Sequence, residues 1–389
     1  MLRTPIYLDN HATTRCDPQV VDAMLPYFSE TFGNSASTSH QFGWDARDAV
    51  DRSREQIASL INADPRSVVF TSGATEASNL AIKGIIQPLL RSAGSKKPHV
   101  VTSATEHRAT LDPVKRLQRA GADVTVLSAD EFGQVSAQQV AESLRDETSL
   151  VSIMLANNEI GTLNPIVEIA DVCRNCNVPF HCDAVQAVGR IPVDVRELKA
   201  DLISVSAHKF YGPKGIGALI VRRGNRQARP EPLFDGGGHE SGLRSGTLPV
   251  PLIVGFGRAC ELARESLAEE ATRIQKLRDA LWTEISSKLD GIYLNGHPDE
   301  RLTGNLNVSF EGIDGDVLMN GLKEIAVSSG SACTSAEPEP SHVLRAIGRS
   351  DRLTRASLRF GIGRFNTQEE IGFAADYVVE TVNRLRNST

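Results

Sequence analysis

The sequence has no apolar run approaching the roughly 18 residues that a bilayer crossing requires. Its first ten residues, MLRTPIYLDN, hold one arginine and no apolar stretch, so they do not read as a secretory leader. These lacks predict a cytoplasmic chain, off the membrane, in a compartment where thiols stay reduced. Positive charge is also short: 42 Lys and Arg stand against 48 Asp and Glu, a formal net charge of −6. A phosphate backbone rewards a basic surface, so direct nucleic-acid binding is not expected. Repeats and low-complexity tracts are absent.

Cysteine is sparse and poorly paired. Cys16, Cys173, Cys176, Cys182, Cys260 and Cys333 are the six, and an even count implies disulfides only in a short secreted chain. Cys173 and Cys176 form a lone C-x-x-C. A structural zinc site needs a second pair at suitable spacing. A redox pair sits at a helix N-terminus, whereas this one closes the helical pattern PIVEIADVCRNC, at the wrong end of the dipole. Both are expected to be ordinary thiols.

What is present is the pattern of a globular enzyme: 389 residues, 40% hydrophobic and 23% charged, enough for two or three domains. Strand-like apolar runs alternate with amphipathic ones. SVVF (67–70) precedes ATEASNLAIKGII, HVVTS (99–103) precedes LDPVKRLQRA, and DVTVL (123–127) precedes AQQVAESLRD. SLVSIML (149–155), VPFHCDA (178–184), DLISVSA (201–207) and IGALIVRR (216–223) follow. This alternation predicts an α/β fold with a mainly parallel sheet covered on both faces. Residues 224–260 are rich in Gly and Pro and read as a long loop region. Leu267, Ala271, Ile274, Leu277, Leu281 and Ile285 then recur at helical spacing, marking a bridge into a second domain. That domain holds NLNVSF (305–310), SLRFGIG (357–363) and a final helix, EEIGFAADYVVETVNRL.

Polar residues gather just beyond the strands, where open α/β sheets build their sites. Lys209 follows a buried strand and precedes glycine-rich turns; a partly desolvated lysine there can form a Schiff base. Asp183 ends another strand 26 residues earlier. A Schiff-base lysine with a carboxylate is what pyridoxal phosphate needs, the carboxylate keeping the pyridine nitrogen protonated. TSGATEAS runs from strand to helix, so Ala74 and Thr75 offer backbone N–H groups to a phosphate. His107, Asn158 with Glu159, and Gln186 follow strands in the same way. Arg359 can grip a carboxylate through two parallel hydrogen bonds, and Asn34 can add a donor. The stretch SSGSACTS (328–335) sets Cys333 among small residues, predicting mobility over 330–340.

Taken in order, YLDNHATT, TSGATE, TEHRA, NNEIG, CDAVQ, SAHKFYGPKGIGAL, GGGHESGLRSGTLP and SSGSACTS resemble the cysteine desulfurases of the housekeeping and nitrogen-fixation type, relatives of the class-V aminotransferases. The resemblance runs from about residue 6 to about residue 385. It implies the pyridoxal-phosphate transferase fold of type I: a large cofactor domain with a seven-stranded sheet over residues 16–260, and a smaller α+β domain from 1–15 and 261–389. It implies that Lys209 carries the cofactor, Asp183 pairs with its ring nitrogen, and His107 stacks on the ring. Ala74, Thr75, Ser206 and His208 fall at phosphate positions, and Thr247 reaches the cofactor of the other subunit in a homodimer. Asn158 and Gln186 meet the ring substituents; Asn34 and Arg359 hold the carboxylate of L-cysteine. Cys333 is then the nucleophile that takes sulfur as a persulfide, and a candidate transient ligand of an iron–sulfur cluster. The sulfur acceptor, an iron–sulfur scaffold or a route to thiolated tRNA, is left open, because the chain ends at NRLRNST, short of the longer tail with which housekeeping members dock a scaffold. Two other readings stay open beside it: a related lyase acting on selenocysteine or cysteine sulfinate, and a non-catalytic scaffold of the same fold.

Overall fold

The structure, a computed structural model, describes residues 2–92, 96–329 and 340–387. Cys333 and the mobility expected around it lie outside the described residues. Twelve strands are formed among those described: β1 (Ile6–Tyr7), β2 (Val68–Thr71), β3 (His99–Ser103), β4 (Asp123–Leu127), β5 (Thr148–Met154), β6 (Phe180–Asp183), β7 (Leu202–Ser206), β8 (Gly217–Val221), β9 (Ile292–Leu294), β10 (Asn305–Phe310), β11 (Ile325–Ala326) and β12 (Ser357–Gly361).

Seven of them form one sheet in the order β2-β8-β7-β6-β5-β3-β4. β3, β4, β5, β6 and β7 pair in parallel; β8 runs antiparallel between β7 and β2. The inner strands β3, β5, β6, β7 and β8 are buried almost throughout because both faces of the sheet are covered, and most of their Ser, Thr and His side chains bond to one another or to backbone oxygens inside it, as His181 does to Ser152 and Ser204. Asp183 on β6 and Ser206 on β7 close their strands on one edge of the sheet. Helix Ala74–Ser92 leaves β2 through Gly73, whose φ of +146° suits glycine. Helix Arg108–Arg119 leaves β3 in the same way, with His107 as its N-cap. Polar strand ends and helix starts therefore face one crevice.

A three-stranded antiparallel sheet, β12-β10-β9, and the parallel pair β1-β11 lie elsewhere. One buried apolar cluster holds the large sheet's strands together with Ile253, Phe256, Ala259 and Ala263. A second holds Ile6, Leu8, Ile274, Leu277, Leu281 and Ile285 with β10, β12 and the last helix, Gln368–Arg386. The helix Val250–Lys288, about 58 Å long at 1.5 Å per residue, contributes to both.

That helix corrects one expectation. Residues 224–260 read as loop, yet the helix begins at Val250. Pro251 sits in its first turn, where the missing N–H costs nothing. Gly255 and Gly257 are there for close packing: an added Cβ would lie 2.5 Å from Met24 Sδ and 2.3 Å from Gln56 Oε1. Composition alone signalled a loop where tertiary contact demands small residues in a helix. Among the described residues, no helix is long and apolar enough to cross a membrane.

Candidate active site

A cavity of about 420 Å³ opens at the carboxyl ends of the parallel strands. Ten of the residues singled out in the sequence line it: Ala74, Thr75, His107, Asn158, Asp183, Gln186, Ser206, His208, Lys209 and Arg359. Asn34 and Thr247 do not line it in the single chain. A larger open groove, of about 850 Å³, lies at the opposite end of the strands, beside Thr148 and Val178, and holds none of the candidates.

One end of the cavity is made for an anion. Helix Ala74–Ser92 points its N-terminus there, so the first backbone N–H groups and the positive dipole end are on offer. Glu76 fixes this turn by accepting from Ser72 N–H at 2.7 Å and pairing with Arg244 at 2.9 Å. Ser206 Oγ is buried with no partner. His208, in the short turn Ala207–Lys209 after β7, has Nδ1 3.0 Å from Thr13 Oγ1. Burial, with Lys209 and Lys214 nearby, lowers its pKa to about 4.

The middle of the cavity holds the titratable groups. Lys209 Nζ donates to the backbone oxygens of His11 and Ala12, at 2.8 and 2.7 Å. Asp183 accepts from Val185 N–H at 3.0 Å, but burial outweighs that bond and pushes its pKa up to about 6. His107 Nδ1 accepts from Ala109 N–H at 3.1 Å, which places the ring proton on Nε2. Burial, then the charge of Lys209, lowers His107 to about 4, so the ring is neutral near pH 7. Asn158 Oδ1 is buried and unpartnered.

Several contributors carried no individual role in the sequence reading. His11 belongs to YLDNHATT, and the structure places it against Gln186. Gln186 Nε2 donates to His11 O, and Gln186 Oε1 lies 3.0 Å from His11 Nδ1. Arg190 Nη1 stands 3.1 Å from the same ring nitrogen. Burial and the two guanidiniums of Arg190 and Arg359 hold His11 neutral, and its Nε2 is buried without a partner. Beside His107, Glu106 is fully buried and accepts from Met154 N–H at 2.7 Å; burial raises its pKa well above the carboxylate range.

Arg359, from β12, is held from three sides. Nη1 donates to Asn158 O at 3.0 Å, and Nη2 donates to Asp9 Oδ1 at 2.9 Å and Ser328 Oγ at 3.2 Å. Its Nε–H is buried and without a partner. Asn34 uses Oδ1 to accept from Ala36 N–H at 3.0 Å, which leaves its amide nitrogen as a donor. Cys173 is packed in the core, its pKa pushed up to about 12 by burial, and Cys176 is exposed at the C-terminal end of the helix Ile166–Asn175.

The polar atoms fit pyridoxal phosphate. A primary amine, a buried carboxyl, a helix N-terminus, and two orphaned buried oxygens on Ser206 and Asn158 open onto one cavity. Comparison with known proteins agrees. The class-V aminotransferase model matches residues 6–373. A cysteine desulfurase IscS of Anaeromyxobacter sp. is 52% identical over 99% of this chain and 94% of its own length. The chain belongs to the cysteine desulfurase family of class-V aminotransferases. Its cofactor is pyridoxal 5′-phosphate. The mouse cysteine desulfurase is 48% identical over 98% of this chain and 82% of its own. Among solved structures, a NifS-like protein superposes with a TM-score of 0.89 at 35% identity, covering 98% of this chain and all of that one. A structure described as SspA in complex with cysteine gives 0.82 at 37% identity, over 93% of this chain and 100% of its own.

Proposed function

We propose that the chain removes sulfur from L-cysteine, releases L-alanine and retains the sulfur as a persulfide on Cys333 for delivery to an acceptor. The observation that carries this reading is the convergence of Lys209, Asp183, His107 and the orphaned oxygens of Ser206 and Asn158 on one cavity, in a chain of this family. Bound there, pyridoxal 5′-phosphate supplies an electron sink for bonds broken on the substrate. Lys209 is the tethering amine; the carbonyls of His11 and Ala12 hold Nζ in place. Ala74, Thr75, Ser206 and His208 hold the phosphate, and Asp183 faces the ring nitrogen. Asn158, Gln186 and His107, which line the same cavity, would hold the ring.

Arg359 takes the substrate carboxylate through the Nε–H that has no protein acceptor; Asn34, which does not line this chain's cavity, is assigned beside it by the family resemblance. Cys333, as thiolate, bonds to the substrate sulfur while that sulfur's bond to Cβ breaks. The bonding pair stays on carbon and takes a proton, which gives alanine. His107 is poor as a resting base, because Nδ1 is occupied by Ala109 N–H and Nε2 already bears hydrogen. It serves better as a donor.

The division into a large domain (16–260) and a small one (1–15 and 261–389) belongs to this reading. Its support is that the two largest apolar clusters are separate, with only Ala263 and Leu302 of the first falling beyond residue 260, while the small cluster of Ile160, Val343, Leu344 and Ile347 joins the two parts. So does a homodimer: Leu25, Phe28, Phe32 and Phe42 are exposed on one stretch of chain, and in this reading Thr247, which does not line its own chain's cavity, acts on the partner subunit's cofactor. The acceptor is a sulfur-receiving or iron–sulfur scaffold protein, with Cys333 a candidate transient cluster ligand. A cytoplasmic setting agrees with the free state of Cys16, Cys173, Cys176, Cys182 and Cys260. Substituting Cys333→Ala is expected to abolish alanine release from cysteine while the cofactor absorbance stays normal. Undiminished alanine release by that variant would overturn the persulfide route.

A further inference from the structure

Residues Asn158–Ile160 are separated from the end of β5 by Leu155, Ala156 and Asn157, and they hold described residues on both sides of the stretch that carries Cys333. On the N-terminal flank, Ser328 pairs with Arg359 as an isolated antiparallel bridge; Arg359 N–H donates to Ser328 O at 2.7 Å. The same guanidinium donates to Asn158 O. On the C-terminal flank, Ser341 Oγ donates to Glu159 Oε2 in a short hydrogen bond. Ser341 is also the N-cap of the helix His342–Ala346, accepting from Leu344 N–H at 3.1 Å. Its one hydroxyl proton is thus committed to Glu159 and a lone pair to the helix. The next residue, His342, has Nε2 2.9 Å from Glu106 O.

Apolar packing closes the same contact. Ile160, Val343, Leu344 and Ile347 form a small buried cluster, separate from the larger cores. Glu159 is itself buried, at 5% exposure; its backbone oxygen accepts from the side-chain amides of Asn305 and Asn307 on β10, and its carboxyl turns to Ser341. A buried carboxyl is expensive unless it is satisfied. Here the partner that satisfies it is Ser341.

We propose that Glu159 is a positioning residue for desulfuration: its carboxyl clasps Ser341, which follows Cys333 by eight positions, and so fixes this part of the chain against the same short stretch whose Asn158 lines the cofactor cavity. It touches neither substrate nor cofactor. The inference rests on the reading of Cys333 as the sulfur nucleophile. A reacting thiol works efficiently only if the chain on either side of it is held in place, since an ångström of misplacement removes much of the rate. Glu159 supplies the polar half of that hold, and Ile160 the apolar half.

The test compares two substrates on the holoenzyme. With L-cysteine, sulfur must be taken by the Cys333 thiolate. With L-cysteine sulfinate, the sulfur leaves as sulfur dioxide, the bonding pair stays on carbon, and no thiol is needed. Glu159→Ala is expected to lower kcat for cysteine roughly 10–100-fold, with KM, cofactor absorbance and sulfinate turnover each within about twofold of the parent. Glu159→Gln keeps an acceptor for Ser341 and is expected to restore most of the cysteine rate. If Glu159→Ala fails to retain cofactor, Ser341→Ala carries the same test, with the same split between substrates. Equal losses on both substrates mean a merely structural role, and no loss on cysteine means no role; either result overturns the proposal. Parallel assay of Cys333→Ala separates the two levels. If that variant still turns over cysteine, the reading of Cys333 fails, whatever Glu159 does.

Discussion

At the scale of the residue, the cavity sets buried polar groups, Asp183, Gln186, Ser206 and Arg359, beside the half-buried His107, Asn158, His208 and Lys209. Asp183 is the clearest case. Burial raises its pKa from 3.8 to about 6, so the folded apo-chain binds that proton more tightly than the unfolded chain. The stability this confers is full below about pH 4 and is lost as pH rises through about 6. Asp183→Asn mimics the neutral acid at every pH. In denaturant titrations of apo-protein, the variant is expected to gain roughly 2–3 kcal/mol on the parent between pH 4 and pH 8. A difference that stays flat with pH would mean the ionised carboxylate is tolerated without a cation. Residues of this kind were legible in sequence because each follows an apolar strand directly, as Asp183 follows FHC and Lys209 follows SVSAH. His11 and Arg190 were not. Neither follows a strand of the large sheet directly, and His11 reaches Gln186 across 175 positions, a contact that no local pattern encodes.

At the scale of the element, glycines decide how closely the phosphate turn can approach the sheet. β8 passes under the turn at Gly217, where an added Cβ would lie 2.5 Å from Val205 O and 2.8 Å from Gly73 Cα. Gly217→Ala must therefore push β8 from β7 or shift the start of the helix Ala74–Ser92. It is expected to cost about 1–3 kcal/mol of stability and to weaken cofactor binding at least several-fold, measured by equilibrium dialysis against pyridoxal phosphate. Unchanged affinity would show that the turn's position does not depend on this contact. The seven strands of the large sheet, with β10 and β12, were readable to within a residue or two, because buried strands are short apolar-rich runs bounded by turn signals; β1, β9 and β11, of two or three residues each, were too short to carry such a signal. The start of the helix Val250–Lys288 was not. Gly255 and Gly257 look like loop residues until Met24, Ser53 and Gln56 are seen against them.

At the scale of the whole molecule, Thr247 lies off the single chain's cavity, and the account assigns it to the other subunit's cofactor. Thr247→Ala and Lys209→Ala are each expected to be weakly active or inactive alone. Mixed and re-formed dimers of the two should regain activity, because one of the two sites then has both residues intact. Failure of the mixture to exceed its parents would place Thr247 in its own chain's site, or in none. The two apolar clusters bridged by one long helix, and the cavity beside the carboxyl ends of the large sheet, make a fixed cofactor platform. In the proposed function sulfur leaves that platform on one thiol, Cys333. The most direct test is intact-mass analysis of the holoenzyme after incubation with L-cysteine and no reductant, followed by peptide mapping. The account predicts added sulfur on Cys333, removed by a thiol reductant and absent from Cys333→Ala. Active protein that releases alanine with no sulfur on Cys333 would contradict it.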